Sequence, residues 1–140
     1  MPGEERRIVV GVDGSPSSDR ALEWAIVEAQ RSGAALHLVS AWMFPMALGY
    51  AFTTTVKEVR ESAQDVIDRA MARVGEVAPG VPVTGETTEQ TPAPALVAAA
   101  KGADMLVVGS RGLGGFEGLL LGSVSQYCTR HATCSVVVVR

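Results

Sequence analysis

Five short apolar runs, RIVVGV, ALHLVSAW, VPVTGET, DMLVVG and CSVVVVR, are spaced along the chain, and the segments between them read mostly as helices. This alternation is the strongest constraint on what the chain can fold into. The first run stops at DGSPSS, where Ser15 suits an N-cap and Pro16 a first helical position. DRALEWAIVEAQRSG then places Leu22, Ala25, Ile26 and Ala29 on one face and stops at Gly33. A second helix is expected to open at the capping box Thr55-Val56-Lys57-Glu58, to carry Val59, Val66, Ile67 and Ala70, and to end at Pro79-Gly80. Thr91-Pro92 begin a short third helix that Gly102 ends, and a fourth lies near SVSQYCTRHA. Residues 43–54, MFPMALGYAFTT, are apolar without period, a loop of the length that serves as a partner surface or covers a pocket.

Strands that are apolar on both faces and alternate with helices call for a parallel sheet covered on each side. The expected fold is therefore α/β: a doubly wound, five-stranded, Rossmann-like parallel sheet, formed by one domain over residues 1–140. In such sheets ligands sit beyond the carboxyl ends of the strands, where the strand order reverses. The loops after the first strand, with Asp13, and after the fourth, with Gly109, are the places to look. They meet if strands one and four are neighbours.

Composition narrows the function. With 47% hydrophobic residues and no polar low-complexity tract, the chain should fold cooperatively. A formal charge of -3, with scattered basic residues, gives no footprint for a nucleic-acid backbone. No run approaches the roughly 18 to 20 apolar residues that span a bilayer, and the N-terminal MPGEERR leads into no signal-type apolar segment. The expectation is a cytoplasmic protein that binds neither nucleic acid nor membrane. Cys128-x2-His131-x2-Cys134 matches no closed zinc pattern and has no obvious fourth ligand nearby in sequence. The cysteines read as thiols beside a helix-to-strand junction, and no metal ligands are assigned.

The segment Gly109–Ser125, GSRGLGGFEGLLLGSVS, carries the functional information. As a hydrolase elbow around Ser110 it has Val108 where the first glycine belongs, and only Glu117 and His131 follow as partners. As a P-loop it lacks the lysine, and GVDGS after the first strand is not a dinucleotide fingerprint. A ligand-free turn explains the glycines but not the helix that begins right after Gly122-Ser123. A phosphate cradle explains both, because a helix start offers unpaired amides and the positive end of a dipole.

The spacing Gly109-x2-Gly112-x9-Gly122-Ser123 resembles the G-x2-G-x9-G-[ST] nucleotide motif of the universal stress protein family. IVVGVDGS, DMLVVGSRG and HATCSVVVVR are similar to that family's opening, fourth-strand and closing segments, so the resemblance runs along the whole chain. The chain departs from it at Thr133 and Ser135, where prolines are usual, and at Thr91-Pro92, where a glycine is usual. The resemblance implies that Asp13 lies against the nucleoside and Ala41 near adenine. It also implies that Gly109, Gly112, Gly122, Ser123 and Val124 surround the triphosphate of ATP; Arg111 reads either as a further phosphate neighbour or as a solvated loop charge.

A magnesium ion could sit between Asp13 and the phosphates, yet neither loop offers a second carboxylate or general base. No catalytic residue is assigned. The expectation is an ATP-binding regulatory protein of the stress response with an unknown protein partner; a weak ATPase or phosphotransferase and a nucleotide-free scaffold are the alternatives. The last strand, Ser135 to Val139, would leave a bare apolar edge. A two-fold homodimer through it removes that edge and is the assembly the resemblance implies.

Overall fold

The computed structural model describes residues 5–43, 56–111 and 121–140. The elements alternate as expected: β1 Arg7–Gly11, α1 Pro16–Ser32, β2 Ala35–Trp42, α2 Val56–Val77, β3 Val83–Glu89, α3 Pro92–Ala99, β4 Met105–Gly109, α4 Ser123–His131 and β5 Ser135–Val139. All strand pairs are parallel and the sheet order is β3-β2-β1-β4-β5. Strands one and four are neighbours, with Ile8 opposite Met105 and Val10 opposite Val107. The order therefore reverses between β1 and β4, and the two loops singled out in the sequence emerge side by side.

Side-chain alternation divides the core into two layers. Ile8, Val10, Leu36, Leu38 and Val107 face α1 and α2, where Leu22, Ile26, Ile67 and Val74 complete the larger cluster. Val9, Val39, Leu106 and Val108 face the other way, toward Leu96 of α3 and Cys128 of α4. Helices thus cover both faces of a Rossmann-like sheet. No helix among the described residues is long and apolar enough to cross a membrane.

Ser15 caps α1, its Oγ accepting from the Ser18 amide at 3.2 Å. Gly33 ends that helix at φ 75°, where a side chain would be strained. The third strand departs from expectation. It runs over Val83–Glu89, starting and ending two residues later than VPVTGET, because Val81 still turns back to the Ala78 carbonyl and Pro82 contributes only its carbonyl, to the Leu36 amide. Nor is it apolar on both faces: Thr84, Gly85 and Glu86 are exposed, as an edge strand allows. Thr55 of the proposed capping box and residues 44–54 lie outside the described residues.

Cys128 is fully buried in the smaller core layer, with Cys134 packed against the same cluster. Burial pushes the Cys128 thiol up to about 11, and the neighbouring Cys134 thiol adds in the same direction. A thiol held protonated by the fold, and free to ionise once the chain unfolds, stabilises fully below pH 9 and loses that contribution as pH rises toward 11. Urea unfolding across that interval should show a steeper loss of stability in the parent than in Cys128→Ala. Equal slopes would mean the thiol ionises in the folded state as readily as in the unfolded one.

Candidate functional site

Gly109 ends β4 against the first turn of α1. A Cβ there would lie 2.5 Å from the Ser17 Oγ and 2.7 Å from the Ser17 backbone carbon and oxygen, so only glycine permits the approach. One residue on, the Ser110 amide donates to the Val139 carbonyl at 2.8 Å, and the Arg111 amide donates to the Ser17 Oγ at 3.1 Å. On the β1 side, the Asp13 amide donates to the Ser18 Oγ at 3.1 Å and Asp13 Oδ1 accepts from the Ser15 amide at 2.9 Å. Buried Ser17 and Ser18 thus tie both loops to one helix end. Of the serines Ser15, Ser17 and Ser18, sequence reasoning gave a role only to Ser15; the three serines of DGSPSS were the available signal.

The far end of the glycine loop is anchored as tightly. The Gly122 amide donates to the Ser110 carbonyl at 2.6 Å, and buried Ser125 donates its hydroxyl to the carbonyls of Gly122, at 2.9 Å, and Ser110, at 3.3 Å. Gly122 is the N-cap of α4 at φ -74° and ψ 170°, so its own backbone does not require glycine. No described side chain caps this helix, whose first turn holds Ser123 and Val124.

These segments enclose a cavity of about 310 Å³. Asp13, Ala41, Gly109, Arg111, Gly122, Ser123 and Val124 all line it, together with an apolar wall from Val12, Val39, Leu96 and Val108. Gly112 lies outside the described residues. The apolar wall was not assigned from the sequence, although Val108 stands at the end of an expected strand. A second cavity, of about 340 Å³, lies between α1 and α2 beside the Arg73–Glu23 ion pair, and none of the expected site residues lines it.

The two helix starts at the cavity differ in an important way. The N-terminus of α1 is closed by its own Ser15 and carries the Asp13 carboxylate before it. The N-terminus of α4 is open toward the cavity, with first-turn amides that have no acceptor within the helix. The positive end of the dipole and the first-turn amides of α4 therefore converge on this side, beside Arg111. The far wall is apolar, and the Asp13 carboxylate sits between.

Among the described residues the hydrolase alternative finds no geometry to support it, and Glu117 lies outside them. Ser110 is buried, with its amide and carbonyl both committed, and His131 stacks on Tyr127 at the opposite end of α4, about 12 Å along the helix from Ser123. Among the described residues no three His, Cys, Asp or Glu side chains gather as a metal group.

A match to the universal stress protein family spans residues 5–140. The chain belongs to the universal stress protein family. A universal stress protein from Mycolicibacterium smegmatis is 37% identical over 133 residues, which cover 95% of this chain and 45% of that one. The chain spans about half the length of the curated relatives it matches. Among solved structures, that of a universal stress protein in complex with cAMP is 31% identical, with a TM-score of 0.74 and 99% of each chain covered. A family member from Burkholderia pseudomallei is 29% identical, with a TM-score of 0.77 over 99% of this chain and 98% of that one.

Within this universal stress protein fold, Gly109→Ala should lose about 1–3 kcal/mol of stability, because the methyl group meets fixed backbone. Gly75→Ala, in α2 with nothing within 4 Å of the new Cβ, should instead gain about 0.5–1 kcal/mol. Denaturant unfolding of the two variants checks both signs. A neutral Gly109→Ala would mean that the end of β4 can move away from α1.

Proposed function

We propose that the chain binds an adenine nucleotide, ATP with Mg2+, in the cavity between the β1 and β4 loops, and acts as an ATP-responsive regulatory protein of the stress response. The observation that carries this reading is the N-terminus of α4 facing, across the Asp13 carboxylate, the apolar wall of a cavity at the reversal of strand order. The base and ribose lie along Val39, Ala41, Leu96 and Asp13, and the phosphates lie toward Gly109, Arg111, Gly112, Gly122, Ser123 and Val124. The complex of a relative with cAMP supports an adenine nucleotide as the ligand class.

Asp13 is the one carboxylate among the described lining residues, and no lysine or histidine joins it there. A magnesium ion at this site would add charge neutralisation and keep most of its waters. With no carboxylate, lysine or histidine beside Asp13 among the described lining residues to serve as a general base, we read binding as outweighing turnover and a weak ATPase as the lesser reading.

Gly122→Asp separates binding from folding. At this backbone an aspartate is a good N-cap, so the variant should fold at least as stably as the parent, while its carboxylate takes up the α4 amides and repels phosphate. In thermal unfolding, Mg-ATP at about 100 times its dissociation constant should stabilise the parent by about 2.7 kcal/mol and leave Gly122→Asp unchanged. No stabilisation of the parent would remove the reading.

The homodimer follows from the other exposed edge. The Val139 carbonyl faces β4, accepting from Ser110, so the alternate polar groups of Val138 point out of the sheet, and Val136–Val139 are all partly exposed. Pairing with a second copy satisfies those groups. Val138→Pro removes one outward donor and leaves the β4 ladder intact. Sedimentation should show a dimer for the parent and a folded monomer for the variant; a monomeric parent would end the proposal.

A further inference from the structure

Thr91 stands at the N-cap of α3 and does not cap it. Its hydroxyl donates instead to the Met43 thioether, Oγ1 to Sδ at 3.3 Å. Ala41, two residues before Met43, and Pro92, directly after Thr91, both line the cavity. The contact therefore joins the end of β2 to the start of α3 along the cavity rim. Met43 is 55% exposed, whereas Met71 and Met105, the other described methionines, are partly buried against the larger core layer.

The geometry points to Met43 as a site of oxidation by peroxides, whose sulfoxide is held by Thr91 at the rim and weakens nucleotide binding; this regulation rests on the nucleotide reading above. In the reaction the sulfur lone pair attacks one peroxide oxygen, the sulfur–oxygen bond forms and the oxygen–oxygen bond breaks. The proton of the transferred hydroxyl passes to the departing oxygen, leaving water from hydrogen peroxide or an alcohol from an organic peroxide. Sulfur loses two electrons and the peroxide gains them. No metal is required, only access to the thioether.

The Thr91 hydroxyl matters because it outlasts the change. A thioether is a weak acceptor and a sulfoxide oxygen a strong one, so the same donor that touches sulfur in the reduced protein fixes the oxidised side chain beside Ala41. A flexible apolar group at the rim becomes a polar one with a fixed direction. An apolar nucleobase face packed there loses its contact, so affinity falls while the phosphate end is untouched.

The test treats the intact chain with hydrogen peroxide, maps methionine oxidation by peptide mass spectrometry, and measures Mg-ATP affinity before and after. Met43 should gain one oxygen several-fold faster than Met71 and Met105, and affinity should fall in step with it. Met43→Leu should keep its affinity through the treatment, and Met46→Leu should lose affinity as the parent does. Thr91→Val should still be oxidised at Met43 but lose less affinity, since nothing holds the sulfoxide in place. Oxidation of Met43 no faster than of Met71, full oxidation without loss of affinity, or an equal loss in Met43→Leu would each overturn the proposal. Absence of ATP binding in the untreated parent would instead strike the nucleotide reading and, with it, the regulation, while the oxidation map would still report on the thioether.

Discussion

The approach of Gly109 to the backbone of Ser17 is the contact on which the cavity depends. It brings the end of β4 onto the first turn of α1, which lets the Ser17 hydroxyl take the Arg111 amide while its neighbour Ser18 takes the Asp13 amide. Two loops almost 100 residues apart in sequence become a single wall. A methyl group at Gly109 would have to displace backbone, not a flexible side chain, so close packing leaves little room for adjustment. The first glycine of the motif thus has a packing role whatever the cavity binds.

The two helix starts at the reversal point are chemically unequal, and that inequality gives the cavity its direction. Ser15 and Asp13 satisfy the amides at the start of α1, which leaves a carboxylate there. At α4 the cap is a glycine with no side chain, and the first-turn amides face the cavity beside Arg111. The same asymmetry accounts for an aspartate at position 13 and a glycine at position 122, each backbone being able to accept either residue type.

Much of this was legible from local patterns. Ser15, Pro16 and Gly33 bound α1 as their chemistry requires, and apolar runs marked β1, β2, β4 and β5, because capping, left-handed backbone and burial leave residue-level traces. The third strand was legible only in part. Val81 and Pro82 look like its beginning, yet a turn following Ala78 claims Val81, and the edge position removes the need for apolar residues at Thr84 and Glu86. The cysteines near the end of the chain read as thiols at a helix-to-strand junction, and α4 does turn Cys128 into the core, leaving His131 against Tyr127.

By itself the sequence determined the alternation of elements, the parallel sheet and the two loops at its carboxyl edge, because these follow from periodicity and turn chemistry within short windows. It also carried the family, through motifs in a fixed order. Only the tertiary structure decided that β1 and β4 are neighbours, that Ser17 and Ser18 hold both loops, and that Leu96 and Val39 supply an apolar wall. Those facts depend on which distant segments pack together. Packing is decided by the whole sheet at once, and no window of the sequence contains it.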